Sequence, residues 1–225
     1  EHVKEAAAVV SQYCDMVAIR AFASLADKEK DEAEIVLRSF EKYASVPIIN
    51  MESATAHPLQ ALADAITIEE FRPKHKPKVI LSWAPHPKAL PHAVGNSFTQ
   101  MMRHMDADFI IAHPEGYALN PKITKGIECT TNQEKALEGA DFVYTKNWSS
   151  YHHYGQILRT DDQWMITPDK MELTNNGKFM HCLPIRRNIV AADGVLDSPS
   201  SLVIQQSQNR IYSAQAVLKQ LLENG

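Results

Sequence analysis

The segment 179–188 holds the densest group of side chains that could do chemistry. It reads FMHCLPIRRN: a short apolar run, then His181 and Cys182, and after Pro184 the pair Arg186 and Arg187. Proline has no amide hydrogen for a sheet, so we expect a strand to end there and leave free carbonyls beside two guanidinium groups. Arginine binds phosphate and carboxylate through paired hydrogen bonds. The segment predicts an anion site, with a plain pair of surface arginines as the alternative.

Other polar residues follow predicted strands in the same way. They are Arg20, Glu52 with His57, His86, His113, Lys146 and Arg186. Because parallel strands end at one edge of a sheet, these side chains could converge on one cleft. Several cations, imidazoles and a single carboxylate suit a small anionic substrate, although each residue alone could be a surface or structural group. His152, His153 and Cys182 lack the spacing of a metal site, so we expect no metal.

The elements that must position these residues alternate between helix and strand. We predict helices at 1–13, 28–43, 58–71, 98–105, 132–137 and 209–222, and strands at 15–19, 46–50, 79–83, 107–112, 141–145, 178–183 and 201–204. Alternation of this kind is typical of α/β proteins, in which helices cover both faces of parallel sheets. The basic, proline-containing stretch 72–78 predicts a linker between two lobes, and the proline-rich stretch after residue 83 predicts an irregular loop.

Composition excludes several classes of function. The 225 residues carry a net charge of −4, which argues against a nucleic-acid-binding protein. The sequence has no membrane-length apolar run, and it has no glycine-rich nucleotide-binding motif. The three cysteines have no paired spacing, so we expect reduced thiols and a cytoplasmic location. Because the chain starts inside a helical pattern, we expect further residues before Glu1.

Three motifs in order resemble the aspartate/ornithine carbamoyltransferase family over essentially the whole chain. They are HPLQ at 57–60, HCLP at 181–184 and the pair Asn209–Arg210. Ornithine carbamoyltransferases usually carry DxWxSMG where this chain has TKNWSSY. That difference, the arginine pair after HCLP and the loop WAPHPKALP resemble the branch that acts on N-acylated ornithine, first the N-succinyl type and then the N-acetyl type.

The resemblance implies a two-domain α/β protein with a knotted second domain. It implies a carbamoyl-phosphate domain that includes 1–56, an interdomain helix at 57–72, an acyl-ornithine domain at 73–205 and a closing helix at 206–225. The start of the first domain, with the SxRTR phosphate motif of the family, is expected before Glu1. The resemblance also implies a homotrimer that works in arginine biosynthesis without a cofactor.

The resemblance assigns roles to individual residues. Those expected to bind carbamoyl phosphate are Arg20, His57, Pro58, Leu59, Gln60, Cys182, Leu183 and Arg210, and those expected to hold the acyl-ornithine are Glu52, His86, Lys146 and Arg186. Arg20, His57 and Arg210 are the expected catalytic residues, since they could stabilise the carbonyl oxygen and the leaving phosphate as the δ-amine attacks.

The acyl group and the activity itself leave alternatives. The residue expected to separate succinyl from acetyl preference lies before Glu1. Acetyl-type enzymes carry a modified lysine where this chain has Val190, which favours a succinyl group. An ordinary ornithine carbamoyltransferase and a non-catalytic anion-binding subunit of the same fold are the rival hypotheses.

Overall fold

The computed structural model describes residues 2–224 and confirms the α/β class. Its strands are β1 (Val17–Arg20), β2 (Ile48–Glu52), β3 (Lys78–Trp83), β4 (Asp108–Ala112), β5 (Glu128–Thr130), β6 (Phe142–Lys146) and β7 (Lys178–Met180). Its helices are α1 (Val3–Val10), α2 (Lys28–Glu32), α3 (Ile35–Tyr43), α4 (Pro58–Glu70), α5 (Ala93–Met102), α6 (Pro121–Thr124), α7 (Gln133–Leu137), α8 (Pro168–Glu172), α9 (Asp193–Leu196) and α10 (Val203–Asn224).

The described strands form two parallel sheets. The smaller sheet pairs β1 with β2, and the larger has the order β5-β4-β3-β6-β7. Strand β3 lies in the middle of this order. Its apolar run is buried along nearly its whole length, as expected for a parallel strand covered on both faces. A core that includes Trp83, Phe98, Tyr144 and Trp148 surrounds this larger sheet. No helix within 2–224 combines the length and the hydropathy that a bilayer crossing requires.

The single helix predicted at 28–43 is wrong. It is broken at Glu34, whose φ of 47° lies in the left-handed region and separates α2 from α3. The break lets the Glu34 carboxylate accept hydrogen bonds from the Thr55 amide at 3.0 Å and the Thr55 hydroxyl at 2.7 Å. A contact with a distant segment therefore overrides the helical pattern of the sequence.

Several other predicted bounds differ in the structure. Helix α5 begins at Ala93 rather than residue 98, so the irregular proline-rich loop is shorter than predicted. Strand β7 ends at Met180, because the amide of His181 donates to the side chain of Gln206 instead of a neighbouring strand. Ser201 makes only an isolated bridge to Phe179, so the strand predicted at 201–204 is wrong, and α10 begins at Val203 rather than residue 209.

Helix α10 packs along α4 and brings the end of the chain back to the first motif. Ser213 donates to the carbonyl of Leu59 at 2.7 Å, and Asn209 donates to the hydroxyl of Thr67 at 2.9 Å. These bonds satisfy buried polar groups of both helices, so they fix how α10 lies on α4. The first motif and the Asn209–Arg210 motif are thereby held side by side.

The loop that follows β6 closes against the segment after β1. The hydroxyl of Tyr154 donates to Asp31 at 2.8 Å, and the next residue, Gly155, lies against the carbonyl of Leu25. A Cβ atom at Gly155 would overlap that carbonyl oxygen, and its φ of +72° is in any case unfavourable for other residues. Glycine is therefore required at this junction.

Alanine at Gly155 is expected to destabilise the fold by roughly 2 to 5 kcal/mol, since backbone strain of about 1 to 2 kcal/mol adds to overpacking of about 1 to 3 kcal/mol. Gly139 is the matched control, because its φ is +67° but nothing lies within 4 Å of an added Cβ. Its alanine variant should lose only the strain, about 1 to 2 kcal/mol. Urea unfolding of both variants measures the difference, and equal losses would contradict the contact with Leu25.

Candidate active site

A cavity of about 400 Å³ lies beyond the ends of strands β1, β2 and β6, beside the start of α4. Its polar lining consists of Arg20, Glu52, His57, Gln60, Lys146, Cys182 and Arg210. Its apolar lining consists of Phe22, Ala23, Leu25, Leu90, Pro91, Val94, Leu183 and Pro184. Groups from the sequence-distant motifs HPLQ, HCLP and Asn209–Arg210 thus meet in one place.

The structure does not bring every predicted residue to the cavity wall. Pro58 and Leu59 form the first turn of α4 without lining the cavity, and His86 and Arg186 lie outside its lining. His113 is also absent from the lining and lies close to the carbonyl of Pro114 instead. It follows β4, which lies on the opposite side of β3 from β6, so its strand end does not face the cavity.

Arg20 and Glu52 form an ion pair at the mouth of the cavity. Two guanidinium nitrogens of Arg20 donate to Glu52 Oε2, at 3.1 and 2.7 Å. The guanidinium also lies over the ring of Phe22, 4.8 Å from its centroid. Because Glu52 is buried and Arg20 is half exposed, the carboxylate fixes one end of a cation whose other face is open to a ligand.

His57 is held as a neutral imidazole among cations. Its amide donates to the hydroxyl of Ser97 at 2.7 Å, and Pro58 then starts α4, which places the ring in the cavity. Burial, acting together with the charges of Arg210, Arg20 and Lys146, lowers the pKa of His57 to about 3. Its Nδ1 is buried without a hydrogen-bond partner among the described residues. A neutral imidazole can donate one hydrogen bond without adding positive charge to the site.

Arg210 and Gln60 join the last helix to the first motif. Arg210 donates from Nη1 to Gln60 Oε1 at 3.0 Å, and both residues line the cavity. Sequence reasoning missed what lies behind this pair. Gln60 also donates from Nε2 to Asp64 at 2.7 Å, and Asp64 is fully buried. The signal was present, since a glutamine and an aspartate four residues apart on a helix are neighbours.

His86 and Arg186 contact each other beside the cavity. Arg186 Nε donates to His86 Nε2 at 3.1 Å, and His86 Nδ1 lies 2.8 Å from the carbonyl of Lys88. Burial and the charges of Arg186 and Lys146 lower the pKa of His86, so the ring is neutral and can accept from the guanidinium. The imidazole thereby orients Arg186.

The cavity carries an excess of positive charge. Arg20, Lys146 and Arg210 line it, whereas Glu52 is the one carboxylate among the described lining residues and is already paired. Such an arrangement attracts a ligand with more than one negative charge. Within residues 2–224, no group of three or more histidine, cysteine, aspartate or glutamate residues is placed to hold a metal ion.

Comparison with known proteins gives consistent matches. Residues 1–70 match the carbamoyl-phosphate-binding domain profile of aspartate/ornithine carbamoyltransferases, and residues 92–221 match the Asp/Orn-binding domain profile. The chain is 49% identical over 226 residues to N-succinylornithine carbamoyltransferase of Bacteroides fragilis (strain 638R), covering 100% of this chain and 71% of the relative. It is 36% identical over 242 residues to N-acetylornithine carbamoyltransferase of Xanthomonas axonopodis pv. citri (strain 306), covering 98% and 70%.

A solved structure matches at the level of the whole fold. It is a variant of N-acetyl-L-ornithine transcarbamylase in complex with carbamyl phosphate and N-succinyl-L-norvaline. The TM-score is 0.92 at 36% sequence identity, and the match covers 98% of this chain and 73% of the other.

The neutral state of His57 predicts how stability depends on pH. In the unfolded chain the pKa of His57 is 6.5, whereas in the folded chain it is about 3. The unfolded state therefore binds more protons between these pH values, so the free energy of unfolding falls as pH falls. From about pH 6 to about pH 5, the wild type should lose about 1 kcal/mol more than His57→Gln, which lacks this group. Urea unfolding at both pH values tests this, and parallel losses in the two proteins would contradict it.

Proposed function

The chain belongs to the aspartate/ornithine carbamoyltransferase family, and on that premise we propose that it carbamoylates the δ-amine of N-succinyl-L-ornithine. N-acetyl-L-ornithine is the second candidate, since the acetyl-type relative is 36% identical and the succinyl-type relative 49%. The observation that carries the proposal is the shared cavity, in which Arg20, His57 and Arg210 meet although they lie far apart in sequence.

The reaction requires one bond to form and one to break. The δ-nitrogen attacks the carbonyl carbon of carbamoyl phosphate and forms the new C–N bond. The bond from that carbon to the phosphate oxygen then breaks, and its electron pair leaves with inorganic phosphate, which takes up the proton that the amine loses. Negative charge grows on the carbonyl oxygen and on the leaving phosphate, so cations and hydrogen-bond donors held around them lower the barrier.

Residues around the start of α4 are assigned to carbamoyl phosphate. Arg20 and Arg210 carry the charge for its phosphate, and the neutral His57 suits its carbonyl oxygen without adding a second positive charge. Pro58 and Leu59 form the helix turn that brings Gln60 to the same end. Beyond β7, the Cys182–Leu183 segment lines the cavity and offers carbonyls that the carbamoyl NH₂ group needs.

The opposite side of the cavity is assigned to the acyl-ornithine. Lys146 lines it, and Arg186, oriented by His86, lies beside it; both can pair with substrate carboxylates. Leu90, Pro91 and Val94 give the methylene chain an apolar wall.

The ion pair at the cavity mouth favours an acylated substrate. Free ornithine carries an α-ammonium group, which a site would match with an unpaired anion. Glu52 is held by Arg20 at 2.7 Å, so it is not free for that purpose. An acylated nitrogen is uncharged and needs no such anion. Glu52 is still assigned to the acyl-ornithine, and in addition it fixes Arg20 and faces His57, at 3.5 Å from Nε2.

The proposal also includes the setting of the reaction. We place it in arginine biosynthesis, in the cytoplasm, with a homotrimer as the active form and a knotted backbone in the second domain. The branch to which the relatives belong supports the pathway, and the unbonded thiols of Cys14, Cys129 and Cys182 suit a reducing compartment.

Carbamoyl transfer should depend on the acyl group. With carbamoyl phosphate present, the purified protein should show its highest kcat/KM for N-succinyl-L-ornithine and a lower value for N-acetyl-L-ornithine. The value for free ornithine should be at least about 100-fold lower, because a site that matches the charges of one substrate strongly rejects a substrate with other charges. Colorimetric detection of the ureido product measures all three. Turnover of free ornithine alone would identify the ordinary enzyme, and no turnover of any would support a non-catalytic anion-binding protein.

Substitutions in the two proposed binding regions of the cavity should change different kinetic constants. Arg210→Ala is expected to lower kcat/KM by about 100-fold or more, as loss of a group that stabilises developing charge does. Lys146→Ala should raise the KM of the acyl-ornithine by about tenfold, as loss of a charged hydrogen bond does, and leave that of carbamoyl phosphate within about twofold. Lys219→Ala, which removes an exposed cation of α10 far from the cavity, is the control and should match the wild type. A tenfold rise in the KM of carbamoyl phosphate for Lys146→Ala would contradict its assignment.

A further inference from the structure

Asp64 is a buried carboxylate directly behind the cavity. It lies one turn after Gln60 on α4, and it is 0% exposed. Among the described residues, no ion pair involves Asp64. Burial raises the pKa of this carboxyl to about 6. Its Oδ2 atom accepts no well-formed hydrogen bond within the described residues, and the nearby polar group is the buried hydroxyl of Tyr144. A buried carboxylate without a partner cation is costly, so its presence here calls for an explanation.

A single oxygen of Asp64 receives two hydrogen bonds. Gln60 and Gln206 each donate from Nε2 to Asp64 Oδ1, both at 2.7 Å. Gln60 lies on the same helix, whereas Gln206 lies on α10. Because a carboxylate oxygen only accepts, it forces each glutamine to turn its NH₂ group inward and its carbonyl oxygen away.

Both outward-facing carbonyl oxygens act on residues of the cavity. Gln60 Oε1 accepts from Arg210 Nη1 at 3.0 Å. Gln206 Oε1 accepts from the backbone amide of His181 at 2.9 Å, immediately before the Cys182–Leu183 segment. Reversing either glutamine would place an NH₂ group against another donor. The orientation of two amides therefore determines whether Arg210 and the HCLP segment stay in place.

We propose that Asp64 is a positioning residue that fixes Arg210 and the HCLP segment at the carbamoyl-phosphate end through Gln60 and Gln206. This inference rests on the proposed function. Asp64 contacts no substrate, and its role is to define the direction of two hydrogen-bond chains that begin at one oxygen. Through them it links α4, α10 and the end of β7, which come from distant parts of the sequence.

Two substitutions at Asp64 test this role. Asp64→Leu keeps the number and branching of the side-chain heavy atoms but cannot accept a hydrogen bond, so both glutamines lose their fixed orientation. It is expected to raise the KM of carbamoyl phosphate at least about tenfold while the KM of the acyl-ornithine changes by less than about threefold. Asp64→Asn keeps an acceptor oxygen and should stay within about threefold of the wild type for both substrates. Equal changes for the two substrates in Asp64→Leu, or a wild-type KM, would overturn the proposal.

Thr67→Val is the matched control for packing between the helices. Thr67 is equally buried on α4 and accepts a hydrogen bond from Asn209 on α10 at 2.9 Å. Neither residue lines the cavity, and without the Thr67 hydroxyl Asn209 still donates to Glu70 at 2.7 Å, so Arg210 stays in place. The Thr67→Val variant should lower the melting temperature and leave both KM values unchanged. If it raises the KM of carbamoyl phosphate as Asp64→Leu does, then loose helix packing accounts for the effect and the positioning role is wrong.

A readout that does not need turnover separates this inference from the proposed function. In a crystal structure of Asp64→Leu, the bond between Arg210 and Gln60 should be broken, whereas Asp64→Asn should keep it. An unmoved Arg210 in Asp64→Leu refutes the positioning role even if the wild type is fully active. If the wild type transfers no carbamoyl group, the proposed function fails, and these structures still decide the role of Asp64. Should Asp64→Leu not fold, Gln206→Leu gives the same test for the His181 branch, and an unmoved HCLP segment would refute it.

Discussion

The packing of α10 on α4 is the contact on which the rest of the site depends. It joins segments about 150 residues apart through buried hydrogen bonds, including the one from Arg210 to Gln60. Without it, the HPLQ segment would retain its helix start, but the cavity would lose a cation and the anchor of the HCLP segment. Closure of such a distant contact is entropically unfavourable, so the polar bonds and apolar burial between the helices must more than offset it.

Burial and the neighbouring positive charges act together on His57, and they keep one uncharged ring among the cations of the cavity. Arg20, Lys146 and Arg210 each reach solvent or a polar partner. His57 is more deeply buried among them, so its pKa falls to about 3 and it stays neutral. The result is a cavity that attracts an anion yet offers an uncharged hydrogen-bonding group at its centre. Such a division suits a substrate with a phosphate at one end and a carbonyl at the other.

Sequence patterns predicted the sheet class and most of the cavity because both depend on local signals. A strand that ends in a polar residue places that residue at the sheet edge, which correctly located Arg20, Glu52 and Lys146 at the cavity. Signals that depend on tertiary contacts were not readable. The break at Glu34 exists for a bond to Thr55, and the burial that makes Asp64 distinctive appears only after α10 covers it.

Strand order explains why the predicted cleft residue His113 does not reach the cavity. His113 satisfies the same local rule as Lys146, yet its strand lies on the other side of β3, and one-dimensional patterns do not give that order. His86 and Arg186 were both predicted for the acyl-ornithine, and the structure adds that they contact each other at 3.1 Å. Local sequence rules therefore identified candidate polar residues, and the topology of the sheet determined which of them meet.

The central claim is that one cavity binds both substrates, with the phosphate among the arginines and the acyl-ornithine toward Lys146. A crystal structure of the protein with carbamoyl phosphate and N-succinyl-L-norvaline tests it most directly. The phosphate is expected against Arg20 and Arg210, the carbamoyl oxygen near His57, and a carboxylate of the analogue on Lys146. A phosphate bound elsewhere, with this cavity empty, would contradict it.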